Sequence, residues 1–142
     1  MEEKSISFGI IAIKTEQFAV LEEKFSSKKE ININTKLEFK ISTDNYQFGI
    51  FSTFDFIQGN KHLIKLQVSC HFSIAEENWK SFLNENQIIF PAGFVKHLAV
   101  ISIGTARGIL HSKTEGTSYN TFVLPTINVD QIIENDVVFN LN

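Results

Sequence analysis

The apolar and polar positions in the first half of the chain alternate with the period of two that is typical of half-buried β-strands. The alternation is longest over residues 62–74, where every second position from Ile64 to Ile74 is apolar and the positions between them are polar. Three further segments show a similar pattern: residues 5–13, 35–43 and 46–57. We therefore expect one antiparallel sheet of four strands, with one face in the core and one more polar face.

The connections between these segments contain turn and loop residues. Asp44-Asn45 and Gly59-Asn60 predict tight turns that join the last three strands as successive hairpins. Residues 14–30 place isolated apolar residues among charged ones, and they predict a short continuation of the first strand followed by a crossover loop.

The period changes after residue 74 to the spacing of three and four that is typical of helices. Ser73 and Glu76 have the spacing of a capping box and predict a short helix. Phe90-Pro91 predicts a long helix over residues 91–113 with proline at its first position, and Asp130 marks a short last helix. The expected fold class is α+β: a four-stranded antiparallel sheet, then a short helix and one long helix packed on it, in a single domain over residues 1–142.

Charge and composition argue against several classes of function. The chain has 13 basic and 16 acidic residues, and Arg107 is its only arginine, so it lacks the field and the side chains for non-specific binding of nucleic acid. Cys70 is the only cysteine, which excludes an intrachain disulfide. The acidic start and the lack of a long uninterrupted apolar run predict a soluble, cytoplasmic protein without direct membrane insertion. The 14 phenylalanines exceed the needs of a small core and indicate a binding surface.

The sequence contains no recognisable pattern of catalytic or metal-binding residues. Phosphate-binding loops, serine nucleophile elbows and His-Glu-x-x-His zinc sites are absent. The histidines lie too far apart, or on opposite faces of a strand, to share a metal, and Cys70 is expected to be a small core residue. We therefore predict a protein that is not an enzyme and that uses no cofactor and no metal.

The long helix carries apolar residues on more than one face. Its main stripe is sufficient to cover a sheet, yet Val100 and Ile101 lie outside that stripe, near Gly104 and Gly108. This second side predicts contact with another copy of the chain, and coverage by neighbouring loops is the alternative.

Charge is divided unevenly between the long helix and the segment that follows it. Residues 91–113 contain three basic residues and no acid, whereas residues 114–142 contain four acids and neither lysine nor arginine. We expect the acidic segment to lie near the helix, within one subunit or across a dimer, although exposed pairs of this kind contribute little stability.

Three motifs in the second half resemble, in their order and spacing, the SecB family of export chaperones. They are Phe90-Pro91 before the long helix, Arg107-Gly108 near its end, and the segment from Leu124 to Asp130. The resemblance covers about residues 88–130, and the order of four strands followed by helices is similar as well. It implies an ATP-independent holdase that assembles as a homotetramer, a dimer of dimers, and binds unfolded client proteins in apolar grooves.

The resemblance leaves several cellular roles open. In the export role, clients are preproteins kept competent for translocation, and the SecA translocase motor docks on acidic residues, for which Glu16 and Glu22 lie in the corresponding region. SecB-like proteins also act as chaperones of toxin–antitoxin systems, so that role is an alternative, as is an interaction module without chaperone activity. A hot-dog enzyme is a further alternative, but its central helix lies between its first strands, whereas the long helix here follows all four.

The client-binding surface is predicted from apolar residues that the main core pattern does not require. The candidates are Phe18, Val20 and Phe25 in the crossover region, Phe51 and Ile57 on the second face of the sheet, and Phe122 after the long helix. Unfolded segments bind such a surface because they still have apolar area to bury. Ordinary core packing is the alternative for each residue.

Overall fold

Four long antiparallel strands form the main sheet, in the spatial order β1-β4-β3-β2. They are β1 (Phe8–Val20), β2 (Asn32–Ser42), β3 (Gln47–Gln58) and β4 (Lys61–Ile74). The structure is a computed structural model that describes residues 5–141. It confirms the predicted sheet, and the predicted continuation of the first strand reaches Val20.

The alternation in β3 and β4 divides the sheet into a core face and an outer face. Apolar residues of the two strands lie opposite one another on the core face, as in the pairs Phe48–Phe72 and Phe54–Leu66, and all four are fully buried. On the outer face, the pairs are polar or mixed, such as Phe51–Ser69. This division follows from the period of two, which places successive side chains on opposite faces.

The two edge strands differ in regularity. β1 pairs only with β4, and its register shifts twice, between Ile10 and Ala12 and between Thr15 and Gln17. β2 pairs only with β3 and keeps one register from Asn32 to Ser42. β1 is therefore a bulged edge, and β2 is a regular one.

Two predictions about helix starts are wrong in detail. The N-cap of α1 (Glu76–Ser81) is Ala75, with no side-chain cap, because pairing with Gly9 and Gln47 keeps Ser73 in the extended backbone of β4. The long helix α2 (Ala92–Thr114) has Pro91 as an extended N-cap residue and not as its first helical residue. The short last helix was predicted correctly within one residue, as α3 (Val129–Ile132).

A second, smaller sheet was not predicted. It contains β5 (Leu83–Asn84), β6 (Gln87–Phe90) and β7 (Val137–Asn140), in that order. These strands are too short to show a period, and β7 joins β6 from the far end of the chain. Phe90 at the end of β6 contacts the rings of Phe48 and Trp79, with centroids 4.7 and 5.4 Å apart, so the small sheet closes one end of the core.

The long helix α2 packs on the core face of the main sheet. Its buried residues include Val95, Leu98, Ala106 and Leu110, which lie at helical spacing. By length and composition α2 is apolar enough to cross a membrane, although the sequence contains no long uninterrupted apolar run. The core helix of a globular protein passes the same test, and here the buried side of α2 covers β3 and β4.

The acidic segment after α2 lies against the helix of the same subunit. Asp130 Oδ1 is 3.0 Å from Lys96 Nζ. Asp136 reaches the start of the helix, where its Oδ1 accepts a hydrogen bond from Ala92 N at 2.8 Å. Of the two arrangements considered, the contact within one subunit is therefore confirmed, and a carboxylate at the helix N-terminus is favourable for the helix dipole.

Candidate functional site

The predicted client-binding residues lie on both faces of the main sheet. Phe18 and Val20 are on the core face, on which α2 also packs, because they pair with Leu66 and Ile64. Phe51 is on the outer face. Ile57 is also there, opposite His62 of β4 and Asn32 of β2. These residues therefore do not form one continuous surface.

Phe25 lies beside the 3₁₀ helix Ser118–Thr121, in an aromatic cluster. Its ring centroid is 5.0 Å from that of Tyr119 and 4.8 Å from that of Phe122. Phe122 stacks on Phe56 of β3 at 5.4 Å and is only 8% exposed. Phe122 is therefore a core residue, contrary to its predicted place on the binding surface, because its loop folds back over the end of the sheet.

The crossover segment after β1 is held in place by one side chain of β3. The Gln58 carboxamide accepts a hydrogen bond from Ser26 N at 2.9 Å and donates to the carbonyls of Ser26 and Lys29 at 2.6 and 3.2 Å. Tyr119 Oη donates to the carbonyl of Glu22. These contacts fix the segment that carries Phe25 at the end of the sheet where β1 ends.

β1 exposes apolar side chains that were not among the predicted client-binding residues. Ile10 and Ile13 pair with Phe72 and Cys70 and so lie on the core face, yet each is about half exposed because α2 covers this edge of the sheet incompletely. The helix does contact β1 at Phe8, whose ring centroid is 5.5 Å from that of Phe94. Val20 is exposed to the same extent. The signal for this surface was present in the sequence, because the run near Ile11 and Ile13 is apolar on both faces. We call Ile10, Ile13, Phe18, Val20 and Phe25 the β1 surface.

The side of α2 that was predicted to contact another subunit is open in this chain. Val100 is 56% exposed, and Ile101 is partly buried. Gly104 and Gly108 are exposed, and a Cβ added at Gly108 meets nothing within 4 Å. At Gly104 the nearest atom to such a Cβ is Arg107 Nη1, at 3.9 Å. Packing within this chain therefore does not explain the two glycines.

The acids considered for motor docking are separated in the structure. Glu16 lies at the second bulge of β1, and its Oε1 accepts a hydrogen bond from Ser69 Oγ at 2.7 Å on the outer face. Glu22 lies beyond the end of β1. The outer face of the sheet carries Lys14, Lys36, Lys40 and Lys65 as well as its acids, so it is not an acidic surface.

The geometry does not support a catalytic role for the hydrogen-bonded set of Ser69, His71 and Glu16 or for the thiol of Cys70. Ser69, His71 and Glu16 are linked by hydrogen bonds, but the acid accepts from the serine and Ser69 is fully buried, so its hydroxyl is not a free nucleophile. Burial raises the pKa of the Cys70 thiol, and the nearby hydroxyls of Ser102 and Thr105 only partly offset this effect. Cys70 thus has the character of a core residue. Within residues 5–141, no three His, Cys, Asp or Glu side chains are grouped to hold a metal ion.

Comparisons with known proteins identify the fold. No protein-family model and no curated protein matches the sequence. Among solved structures, the Mycobacterium tuberculosis SecB-like chaperone Rv1957, in complex with a ChAD peptide from the antitoxin Rv1956 HigA1, superposes with a TM-score of 0.51. The likeness covers 85% of this chain and 91% of that one, at 12% sequence identity. The chain has a SecB-like fold.

The SecB-like fold agrees with the motifs of the second half of the chain. Phe90-Pro91 precedes α2, and Arg107-Gly108 lies in its last two turns. At 12% identity the likeness concerns the path of the backbone, so the chemistry of the site rests on the residues of this chain.

Proposed function

We propose that this protein is an ATP-independent chaperone that binds extended segments of unfolded polypeptides. The observation that carries the proposal is the β1 surface beside α2 in a SecB-like fold. Its residues Ile10, Ile13 and Val20 are about half exposed, and Phe18 and Phe25 are partly buried. The chaperone Rv1957, which has this fold, is in complex with a peptide from an antitoxin. Both observations favour a polypeptide as the ligand.

The exposed area of the β1 surface suits reversible binding. Covering the exposed half of one isoleucine or valine contributes about 1 kcal/mol, because full burial of such a side chain contributes ~1.5–3 kcal/mol. Several such contacts together give a moderate affinity. The conformational entropy that the client loses when it becomes ordered reduces this affinity. A folded client offers little apolar area to bury, so the surface discriminates in favour of unfolded chains.

The regular edge of β2 offers a second mode of contact. Its residues from Asn32 to Ser42 keep an unbroken register with β3, and its other edge has no partner strand within residues 5–141. An extended client segment can add to such an edge through backbone hydrogen bonds, which do not depend on the client sequence.

We propose that the chain assembles as a homotetramer, a dimer of dimers, through the open side of α2. Each glycine inside a helix costs about 1 kcal/mol relative to alanine. Gly104 and Gly108 carry that cost without a reason within the subunit, and close approach of another backbone would supply one. The exposed side chain of Val100 and the partly buried Ile101 add apolar area next to them.

Two cellular roles follow from the same binding activity in the cytoplasm. The chain keeps preproteins competent for export, or it protects an antitoxin as a chaperone of a toxin–antitoxin system. The mixed charge of the outer face and the separation of Glu16 from Glu22 give the SecA motor no concentrated acidic surface, whereas the complex of Rv1957 favours the antitoxin role. An interaction module with one defined partner remains the alternative to both.

The proposal is tested by light scattering coupled to size exclusion, with an unfolded, non-aggregating client and with the same client folded. We expect a particle near 65 kDa, four times the 16.2 kDa chain, that gains mass only with the unfolded client. Binding of many unrelated unfolded chains supports the chaperone. A single saturable partner identifies the interaction module, and a monomer that is indifferent to unfolded chains refutes the proposal.

A further inference from the structure

The outer face of the main sheet contains a small groove that the proposed chaperone function does not use. Lys40, Gly49 and His71 lie side by side in one row across β2, β3 and β4. The groove above this row has a volume of about 200 Å³, and Phe51 forms part of its wall. It lies on the opposite face of the sheet from the β1 surface, so its role is separate from client binding.

The backbone does not require a glycine at position 49. Gly49 lies inside β3, and its φ is outside the left-handed region where glycine is favoured. A glycine in the interior of a strand is destabilising by roughly 0.5–1 kcal/mol relative to alanine and often marks a place where another group approaches closely. A Cβ here would lie 3.3 Å from His71 Nδ1 and 3.4 Å from Phe51 Cε2. Gly49 therefore leaves room for the His71 ring and its Nδ1 atom.

The orientation of His71 is fixed by a partly buried hydrogen-bond chain. Its Nε2 is 2.9 Å from Ser69 Oγ, and Ser69 Oγ donates to Glu16 Oε1 at 2.7 Å. Because the single hydroxyl proton of Ser69 is given to Glu16, His71 Nε2 must carry a proton and donate to Ser69. In the neutral ring, Nδ1 then carries the lone pair, and it faces the groove above Gly49. Ser69 is fully buried, so this support is built into the sheet.

Some lysines around the groove are available to bind an acidic ligand, because the neighbouring acids contact other groups. The acids of the outer face are engaged: Glu38 pairs with Lys36 at 3.0 Å, Asp55 contacts His62 at 2.9 Å, and Glu16 accepts from Ser69. Lys40 lies with its ammonium group 4.4 Å from the centroid of the Phe51 ring. Within the part of the chain that the structure describes, Lys40, Lys14 and Lys65 have no carboxylate within 4.0 Å.

We propose that this groove binds a carboxylate side chain from an acidic segment of another polypeptide, between the Lys40 ammonium group and His71 Nδ1. Lys40 donates to the carboxylate, and His71 Nδ1 does so once it is protonated, while the aliphatic stem of the acidic residue packs on Phe51. The unpaired Lys14 and Lys65 on the same face attract further acids of the segment. Arg107, which is the only arginine, lies on α2. The groove therefore has no guanidinium group that could recognise phosphate through two parallel hydrogen bonds.

Binding at this groove should strengthen as the pH falls. His71 faces Lys14 and Glu16 from β1 and the Lys40–Gly49 row from β2 and β3. In the free protein, burial and then Lys14 lower the pKa of His71, and Glu16 opposes them. A bound carboxylate stabilises the protonated ring, so acidic peptide and proton bind cooperatively.

The test uses fluorescence anisotropy with a labelled peptide of alternating glutamate and alanine, and the same peptide with glutamine in place of glutamate. We expect the glutamate peptide to bind roughly fivefold more tightly at about pH 5.5 than at about pH 7.5. The variant Lys40→Met should weaken binding roughly fivefold at both pH values. His71→Gln should remove the pH dependence, and the glutamine peptide should bind weakly throughout.

Lys113→Met is the matched control, because it removes one exposed positive charge from α2, which packs on the opposite face of the sheet. It should bind the peptide as the unaltered chain does. If Lys113→Met loses as much affinity as Lys40→Met, the attraction is general surface charge and the proposed site is wrong. Competition by phosphate at lower concentration than by acetate would overturn the carboxylate assignment. The assay does not depend on client protection, so its failure and that of the proposed chaperone function are separate results.

Discussion

Arg107 Nε donates a hydrogen bond of 2.6 Å to the backbone carbonyl of Leu124, seventeen residues further along the chain. Its Nη2 donates to the carbonyl of Pro125 at 2.8 Å. The arginine of the Arg-Gly motif therefore fixes the Leu-Pro segment on α2. Two motifs that support the resemblance to SecB are thus parts of one structural contact. The contact supplies hydrogen-bond donors to two loop carbonyls that accept no hydrogen bond from a helix or a sheet in the described part of the chain.

The first prediction concerns this contact. Arg107→Met should lower the free energy of unfolding by about 1–2 kcal/mol, because it removes two hydrogen bonds from a charged donor, of which one is half-buried. Urea unfolding measures the change. Lys113→Met, on the exposed last turn of the same helix, is the control and should change stability little. Equal stability of the two variants would contradict the structural role of Arg107.

The second prediction concerns assembly. Gly104→Leu should give a smaller particle in light scattering, because the added side chain keeps a second backbone away from the open side of α2. Within one subunit an added Cβ makes only an ordinary contact with Arg107 Nη1 at 3.9 Å, and leucine raises helix propensity, so secondary structure should be retained. Lys113→Leu, outside the predicted interface, should leave the mass unchanged. An unchanged mass for Gly104→Leu would reject this interface.

The third prediction separates the two faces of the sheet. Val20→Asp should reduce protection of an unfolded client several-fold, because a carboxylate replaces a half-exposed apolar side chain in the β1 surface. Phe51→Asp is the matched change on the outer face, and client protection should be retained there. A loss of protection only in Phe51→Asp would move the client surface to the outer face, where sequence reasoning had also placed candidates.

The fourth prediction concerns an unsatisfied hydroxyl in the core. Ser52 is fully buried between β2 and β4, and its Oγ has no hydrogen-bond partner. Ser52→Ala should therefore raise the free energy of unfolding by about 1 kcal/mol, since it removes a desolvated polar group. Ser102→Ala is the comparison, because Ser102 Oγ donates to the Leu98 carbonyl at 2.9 Å and should not show this gain. Destabilisation by Ser52→Ala would mean that the hydroxyl is satisfied in solution.

The fifth prediction concerns pH and stability. The pKa of His71 is lowered in the folded chain, mainly by burial, so the unfolded chain takes up this proton at higher pH than the folded chain does. Stability should therefore decrease as the pH falls through about 6.5, and the decrease should level off below the folded pKa. His71→Gln should show a smaller decrease over this range in thermal unfolding. An identical pH profile for both proteins would contradict the burial of the ring.

Much of the fold follows from local pattern because its main elements are long. The bounds of β2, β3 and β4 agree with the predicted segments to within three residues, and those of α2 agree to within one residue. The small sheet was missed because its strands have only two to four residues, and because β6 pairs with β7 from more than forty residues away. Short elements of this kind are stabilised by tertiary contacts, which a local period does not contain.

The site was less predictable than the fold for a related reason. The pattern shows that Ile10, Ile13 and Phe122 are apolar, but it does not show how far α2 extends over the sheet or where the loop after α2 returns. α2 leaves β1 partly open, whereas the loop buries Phe122 against Phe56. Exposure is thus a property of the neighbouring elements, so core and surface apolar residues had the same signature in the sequence.

The two bulges of β1 have a consequence for the solubility of the protein itself. A straight edge strand with half-exposed isoleucines would be a template on which identical chains stack into fibrils. Here each bulge breaks the regular spacing of backbone donors and acceptors, so no stretch of β1 longer than four residues offers a continuous ladder. The bulges therefore disfavour pairing of β1 with another copy of itself, while the side chains of the strand stay exposed for the proposed contact with a client.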